Sequence, residues 1–298
     1  MPTRRTFLQQ AAAFTAAAGA IPPMSQAAPP RYKMGLQLYT IRDAMARDAA
    51  GTLTRVAALG YQEVETYGFD PEAIGYYKRP AREFAQMLRD NGLTSPSGHY
   101  DLNRFATASD ADLNRYVDRC IEGARLVGHR YITWPFLEEP LRPIESFTRI
   151  VGRFNGIGER IAKAGLQFAY HNHGFEFVEQ DGRIPYDVVL RDTDPRLVKL
   201  QLDLYWLSHD SKQTPRHWFE RAPGRYEMWH VKDMHKVSRD YTELGNGTID
   251  YTRIWPDAAF SGMKHFFVEQ GSNFAQDSMQ SATDGAAYVK RYLLLPRP

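Results

Sequence analysis

Four short segments in the second half of the chain end in side chains able to bind a metal ion or carry a proton. They are Tyr170-His171-Asn172-His173 with Glu176 close behind, Gln201-Leu202-Asp203, His230-Val231-Lys232-Asp233 and Val268-Glu269. Residues two apart on an extended strand share a face, so His171 with His173, Gln201 with Asp203, and His230 with Lys232 can each converge on one place. Imidazole nitrogens mixed with carboxylate oxygens suit Mn²⁺, Zn²⁺, Co²⁺ or Fe²⁺, and the lack of thiolates argues against a structural zinc centre. His99 and Glu65 sit at the ends of two earlier strand-like runs and join as candidates for the wall of the same site. Tyr39, Trp134, Tyr205 and Trp206 lie at or just after strand ends, where an aromatic ring could stack on a bound ligand.

Such side chains need a scaffold that brings strand ends together. Short β-like runs recur about every 30 residues with helical patterns between them, the signature of βαβ units. Strands are expected at 34–39, 63–67, 94–99, 131–134, 167–171, 198–203, 227–232 and 265–269. Apolar residues at helical spacing separate the early ones: Leu53, Val56, Ala57 and Leu59; Phe84, Met87 and Leu88; Leu113, Val117, Ile121 and Leu126; Ile150, Phe154, Ile157 and Ile161. Gly60, Gly92, Gly128 and Gly165 stand where each helix should stop. Eight strands with this punctuation predict a closed (β/α)₈ TIM barrel, whose active site lies at the C-terminal ends of its strands. No glycine-rich dinucleotide fingerprint opens the first unit, and Gly156-Ile157-Gly158 reads as helix packing. The stretch from Lys232 to Tyr251 is the longest expected loop and a candidate wall of the site, with Gly245 and Gly247 in a turn and Asp250 capping the next segment.

The first thirty residues read as a processing segment. Thr3-Arg4-Arg5-Thr6-Phe7-Leu8, an apolar stretch from Ala11 to Ile21, and Ser25-Gln26-Ala27 form the three parts of a twin-arginine-type export signal. Residues 31–298 then form a single catalytic barrel domain, expected in the periplasm, with no other segment long and apolar enough to span a membrane. Lys and Arg number 37 against 35 Asp and Glu, a net charge of +2, which leaves no basic face for a nucleic acid. The single cysteine, Cys120, excludes an intrachain disulfide and falls in a helical pattern as core.

Taken together, the runs Gly35-Leu36-Gln37-Leu38-Tyr39, Gly60-Tyr61-Gln62-Glu63-Val64-Glu65, Tyr170 to Phe177, Leu202-Asp203, His230 to Asp233, Leu244 to Gly247 and Val268-Glu269 resemble the xylose-isomerase-like sugar isomerase/epimerase superfamily. The tyrosine-histidine-asparagine-histidine run is the most specific of them. The resemblance implies a TIM barrel holding one divalent ion, Mn²⁺, Zn²⁺, Co²⁺, Fe²⁺ or Mg²⁺, with Asp203, His230 and Glu269 as ligands. His171 stands where many relatives have glutamate, so either it binds the ion itself or Glu176 or another group completes the set. The implied chemistry is proton abstraction next to a sugar carbonyl, with the ion stabilising the enediolate. Glu269 and His173 are the candidate bases, and His99 and Lys232 are partners for the developing oxyanion. Glu65, Glu176, Trp134 and Tyr39 are the expected substrate contacts.

A carbohydrate isomerase or epimerase acting on a free sugar or glycoside is therefore the leading expectation. A metal-dependent lyase or hydratase acting on 3-keto-glycosides is the alternative on the same carbon acid. A non-enzymatic periplasmic sugar-binding protein would show neither tight metal binding nor turnover. An abasic-site endonuclease would need several zinc ions and a positive groove, and no G-x-S-x-G elbow supports a serine hydrolase.

Overall fold

A computed structural model describes residues 32–294; the export-signal reading falls on residues outside that range. Eight parallel strands close into a barrel: β1 (Met34–Gln37), β2 (Glu63–Thr66), β3 (Thr94–His99), β4 (Tyr131–Trp134), β5 (Gln167–His171), β6 (Val198–Asp203), β7 (Met228–Val231) and β8 (His265–Val268). Each strand pairs with its sequence neighbours, and β1 closes onto β8 with Leu36 opposite Val268. The TIM barrel expected from the strand count is what forms.

Alternation along the strands sorts the side chains into two cores. Leu36, Val64, Ile132, Tyr170, Leu202, Trp229 and Val268 are buried in the large apolar layer shared with the helices. Tyr131, Ala169, Met228 and Phe267 form a separate cluster, the filled interior on which the polar site rests. One irregularity matters to the site. Between β2 and β3 the register runs Glu63 to Thr94 and then Glu65 to Ser97, an extra residue on the Pro96 side. This bulge turns Ser95 towards His129 while placing Ser97 Oγ against the Glu65 carboxylate.

The four glycines expected at helix ends all have φ between +65° and +91°, the left-handed stop that a Cβ would strain. The helix predicted around Ile150, Phe154, Ile157 and Ile161 is in fact two, Ile144–Val151 and Phe154–Lys163. The break falls at Gly152-Arg153, where the Arg153 guanidinium turns away to the carbonyls of Phe105 and Ala106. Gly158 is packing, since a Cβ there would come 2.7 Å from the Leu197 carbonyl oxygen. The excursion after β2 was not anticipated: residues 69–80 fold into a three-stranded antiparallel sheet. Its strands are only two residues long, too short for a period-2 pattern to register. Cys120 is buried in the helix Asp110–Val127. No helix among the described residues is long and apolar enough to cross a membrane.

Candidate active site

The C-terminal ends of the strands deliver a connected polar cluster. Glu65 of β2 is its hub. Its Oε1 accepts from Ser97 Oγ at 2.5 Å and Gln201 Nε2 at 2.7 Å. Its Oε2 accepts from Gln37 Nε2 at 2.7 Å, and lies 2.6 Å from His230 Nε2 and 3.1 Å from His99 Nε2. His230 is clasped on its other side by Glu269, with Nδ1 2.6 Å from Oε2. Lys232 closes the circuit, its Nζ 2.7 Å from both Asp203 Oδ2 and Glu269 Oε2. His171 Nε2 is 3.6 Å from Asp203 Oδ2. Three carboxylates are thus buried with two cations, an arrangement that survives only because each is paired.

Burial alone would raise the carboxylates and lower the imidazoles, and the neighbours decide the outcome. Glu65 is held well below the usual carboxylate range because His99 and His230 outweigh its burial. Lys232 and His230 do the same for Glu269. Burial pulls His230 down, yet the flanking Glu269 and Glu65 lift it to about 9. Lys232 is raised despite burial by Asp203 and Glu269. His171 and His173 are both pushed well below the ordinary histidine range, chiefly by burial and then by nearby positive charge. Both are neutral at pH 7 and each has a buried Nδ1 with no hydrogen-bond partner.

The Tyr170 to Glu176 run divides its labour residue by residue. His171 turns inward beside His99 and His230. Asn172 straps β5 to β6, its Oδ1 accepting the Asp203 amide at 3.0 Å. His173 reaches the mouth, its ring between Phe136 and Trp206. Glu176 lies fully buried beneath, accepting from Tyr170 Oη at 2.6 Å and the His173 amide at 2.9 Å. The loop after β7 is fixed in the same way. Asp233 accepts the amides of Gly245, Gly247 and Ile249, and the Asp250 side chain caps the next turn at Thr252.

Two expected substrate contacts require correction. Trp134 points outward, packed on Phe154 in the helix layer with its indole N–H on the Phe136 carbonyl, because its neighbour Thr133 takes the inward position. Glu176 supports the loop and does not reach the cluster, whereas His171 Nε2 lies 3.6 Å from Asp203 Oδ2. Tyr39 lies at the rim, 42% exposed beneath Arg42. Glu65, His99, His171, Asp203, His230, Lys232 and Glu269 are brought together, with His173 at the lip. The sequence pattern does not single out Gln37 and Ser97, which hydrogen-bond to Glu65, or Phe136 and Tyr241, whose rings lie against His173 and Lys232 Nζ. Gln37 could have been read from the sequence, since a polar residue two before Tyr39 on an otherwise apolar strand must face the interior.

Burial raises the Glu176 carboxyl to about 7. A carboxyl raised on folding binds its proton more tightly in the native state. Its stabilising contribution is therefore full below the unfolded value near 4.5 and is lost as pH rises through about 7, a loss on the order of 3 kcal/mol. Glu176→Gln should thus match the parent near pH 5 and exceed it by about 1–3 kcal/mol at pH 8 in urea unfolding. A variant that is the less stable of the two at pH 8 would show that the carboxylate is favourably bound when charged.

Among the described residues two groups of donors could hold a metal ion, His99 with His171 and His230, and Asp203 with His230 and Glu269, the ligand atoms of each lying within 4.8 Å of one another. A family profile described as a xylose isomerase-like TIM barrel matches residues 53–290. Among curated proteins, an inosose dehydratase of Lacticaseibacillus casei is 24% identical over 175 residues, covering 53% of this chain and 57% of its own. The chain thus spans little more than half the length of that relative. Among solved structures, a sugar phosphate isomerase/epimerase from Parabacteroides distasonis superposes with a TM-score of 0.78 at 24% identity, over 91% of this chain and 98% of its own. A zinc-bound IolI protein superposes with a TM-score of 0.65 at 14% identity, over 88% of this chain and 100% of its own. At such identities these structures speak for the fold alone.

Proposed function

Because the chain belongs to the xylose isomerase-like TIM barrel family, we propose that it is a divalent-metal-dependent isomerase or epimerase that moves a proton on the carbon next to a sugar carbonyl. The observation that carries this reading is the convergence at the barrel mouth of the Asp203 and Glu269 carboxylates, the rings of His230 and His171, and a neutral His173.

The donor set fits such an ion. His171 offers a buried ring nitrogen with no hydrogen-bond partner, and Asp203 Oδ2 meets only charged or ionisable groups. Asp203, Glu269 and His171 would hold it, joined by His230 once that ring gives up the proton it now shares with Glu65 and Glu269. When bound it would act as a Lewis acid on the substrate carbonyl. The protein's own residues supply the rest. His173, neutral with a free ring nitrogen, is the favoured base. Glu269 is the weaker candidate, being held far down the carboxylate range by its two cations. Lys232 and His99 carry hydrogen bonds for an oxygen that gains negative charge. Trp206, whose indole N–H is buried without an acceptor, supplies a donor beside a flat ring for a sugar face. The twin-arginine-type pattern supports a periplasmic site of action on free sugars or glycosides.

Similarity to an inosose dehydratase favours a second reading, elimination or hydration on a keto-sugar or 3-keto-glycoside. The same carbanion would form and then expel a β substituent. The test is incubation of the metal-loaded protein with inosose and a panel of keto-sugars and 3-keto-glycosides in D₂O, followed by NMR and by absorbance for a conjugated enone. Deuterium at the carbon beside the carbonyl in a new epimer or isomer is the expected result. Enone without a rearranged sugar selects the dehydratase reading. Binding of sugar with no exchange at all overturns both and leaves a sugar-binding barrel.

A further inference from the structure

We propose that Lys232 is a tethered counter-ion that competes with a divalent cation for Asp203 and Glu269, so that this site takes up metal by exchange against an internal ammonium. The inference rests on the proposed function only in assuming that a divalent ion binds at these carboxylates.

Two of the three side chains in the carboxylate-bearing donor group are already bridged by Lys232 Nζ, at 2.7 Å to each. An ammonium and a divalent ion cannot both lie in contact with the same two oxygens without severe repulsion. The lysine is also built to move at its head and nowhere else. Its backbone N–H donates to Tyr251 Oη at 2.9 Å, while that hydroxyl donates to the Lys232 carbonyl at 2.6 Å. The adjoining Asp233 pins the succeeding loop through the amides of Gly245, Gly247 and Ile249. With the main chain clamped, only the four-carbon stem is free to swing. The Tyr241 ring, its centroid 5.7 Å from Nζ, offers the displaced cation a second seat. Without Lys232 or a metal ion, Asp203 would be buried with no cation in contact and Glu269 would keep only His230, so the lysine also stabilises the metal-free barrel.

A supporting lysine and a competing one make opposite predictions for metal affinity. Lys232→Met keeps the length and removes the charge, and Lys232→Arg keeps the charge. Affinity of the full chain for Zn²⁺ and Mn²⁺ is measured by competition with a chromophoric chelator, and thermal unfolding is followed with EDTA and with excess metal. Lys232→Met should bind each ion on the order of 10- to 100-fold more tightly than the parent, and Lys232→Arg no more tightly than the parent. In EDTA, Lys232→Met should melt below the parent, and metal should raise its Tm by more than it raises the parent's. Equal or weaker metal binding by Lys232→Met overturns the proposal. So does metal binding by neither protein, which would also remove the metal from the proposed function. Tighter binding by Lys232→Met together with no turnover of any keto-sugar by the metal-loaded parent would uphold the exchange and refute the proposed activity.

Discussion

Glu269→Gln should lose turnover by about 10³-fold or more and should also lose several kcal/mol of stability, measured in EDTA so that no ion masks the effect. Glu269 is the one carboxylate in direct contact with both buried cations, 2.6 Å from His230 and 2.7 Å from Lys232. A neutral amide leaves these charges partly stranded, and removal of one partner from a buried pair costs about 3–5 kcal/mol. Part of that cost carries a pH signature. His230 is raised to about 9 in the native state, so its contribution is full below its unfolded value near 6.5 and is lost as pH rises through about 9. Glu269 is one of its two supports. The destabilisation should therefore be largest at pH 6 and shrink towards pH 10, leaving the Lys232 portion. Urea unfolding at both pH values checks this. A deficit that is equal at the two ends would mean that Glu65 alone sustains the His230 charge. Loss of turnover with metal content and stability both intact would instead make Glu269 a proton carrier and not part of the metal's seat.

The barrel and half of its site could be read from the chain because both depend on local rules. Strand spacing of about 30 residues, with glycine at the helix ends, leaves few alternatives to eight βα units, and polar residues ending apolar strands mark the catalytic rim. His171, Asp203, His230 and Glu269 are picked out this way, and the barrel brings their side chains into one cluster. Glu65 was placed at the substrate wall, but its position as the hub joining Gln37, Ser97, His99, Gln201 and His230 depends on five contacts from strands remote in sequence. A bulge at Pro96 sets one of them, and no period-2 pattern registers an inserted residue. Trp134 failed for the opposite reason. Being last on a strand suggests the mouth, whereas parity decides the face, and Thr133 had already taken the interior. Glu176 stands close in sequence to the Tyr170-His171-Asn172-His173 run, yet its carboxylate folds back to support the very loop that presents His173. The bridging of Asp203 and Glu269 by Lys232 is a matter of charge balance inside a closed volume, which sequence spacing cannot express.

His173→Gln should lower kcat by about 10²- to 10⁴-fold, the usual range for a removed general base, while leaving metal content unchanged. The imidazole belongs to neither donor group that could hold an ion. It is positioned from behind by Glu176 on its backbone amide and from the sides by Phe136 and Trp206, and its Nδ1 has no protein partner. Glutamine keeps a polar group of similar reach, so binding that needs only a hydrogen bond should persist. The pH profile offers an independent check. Burial and the nearby Lys232 charge keep His173 neutral until well below 6.5, so the acid limb of kcat/KM in the parent enzyme should fall well below that value if this residue is the base. A limb centred near 6.5 would point to an exposed histidine or to substrate ionisation. A variant with normal kcat and a raised KM would reduce His173 to a binding contact. The proton would then have to go to Glu269 Oε1, the one oxygen of that carboxylate that neither His230 nor Lys232 engages.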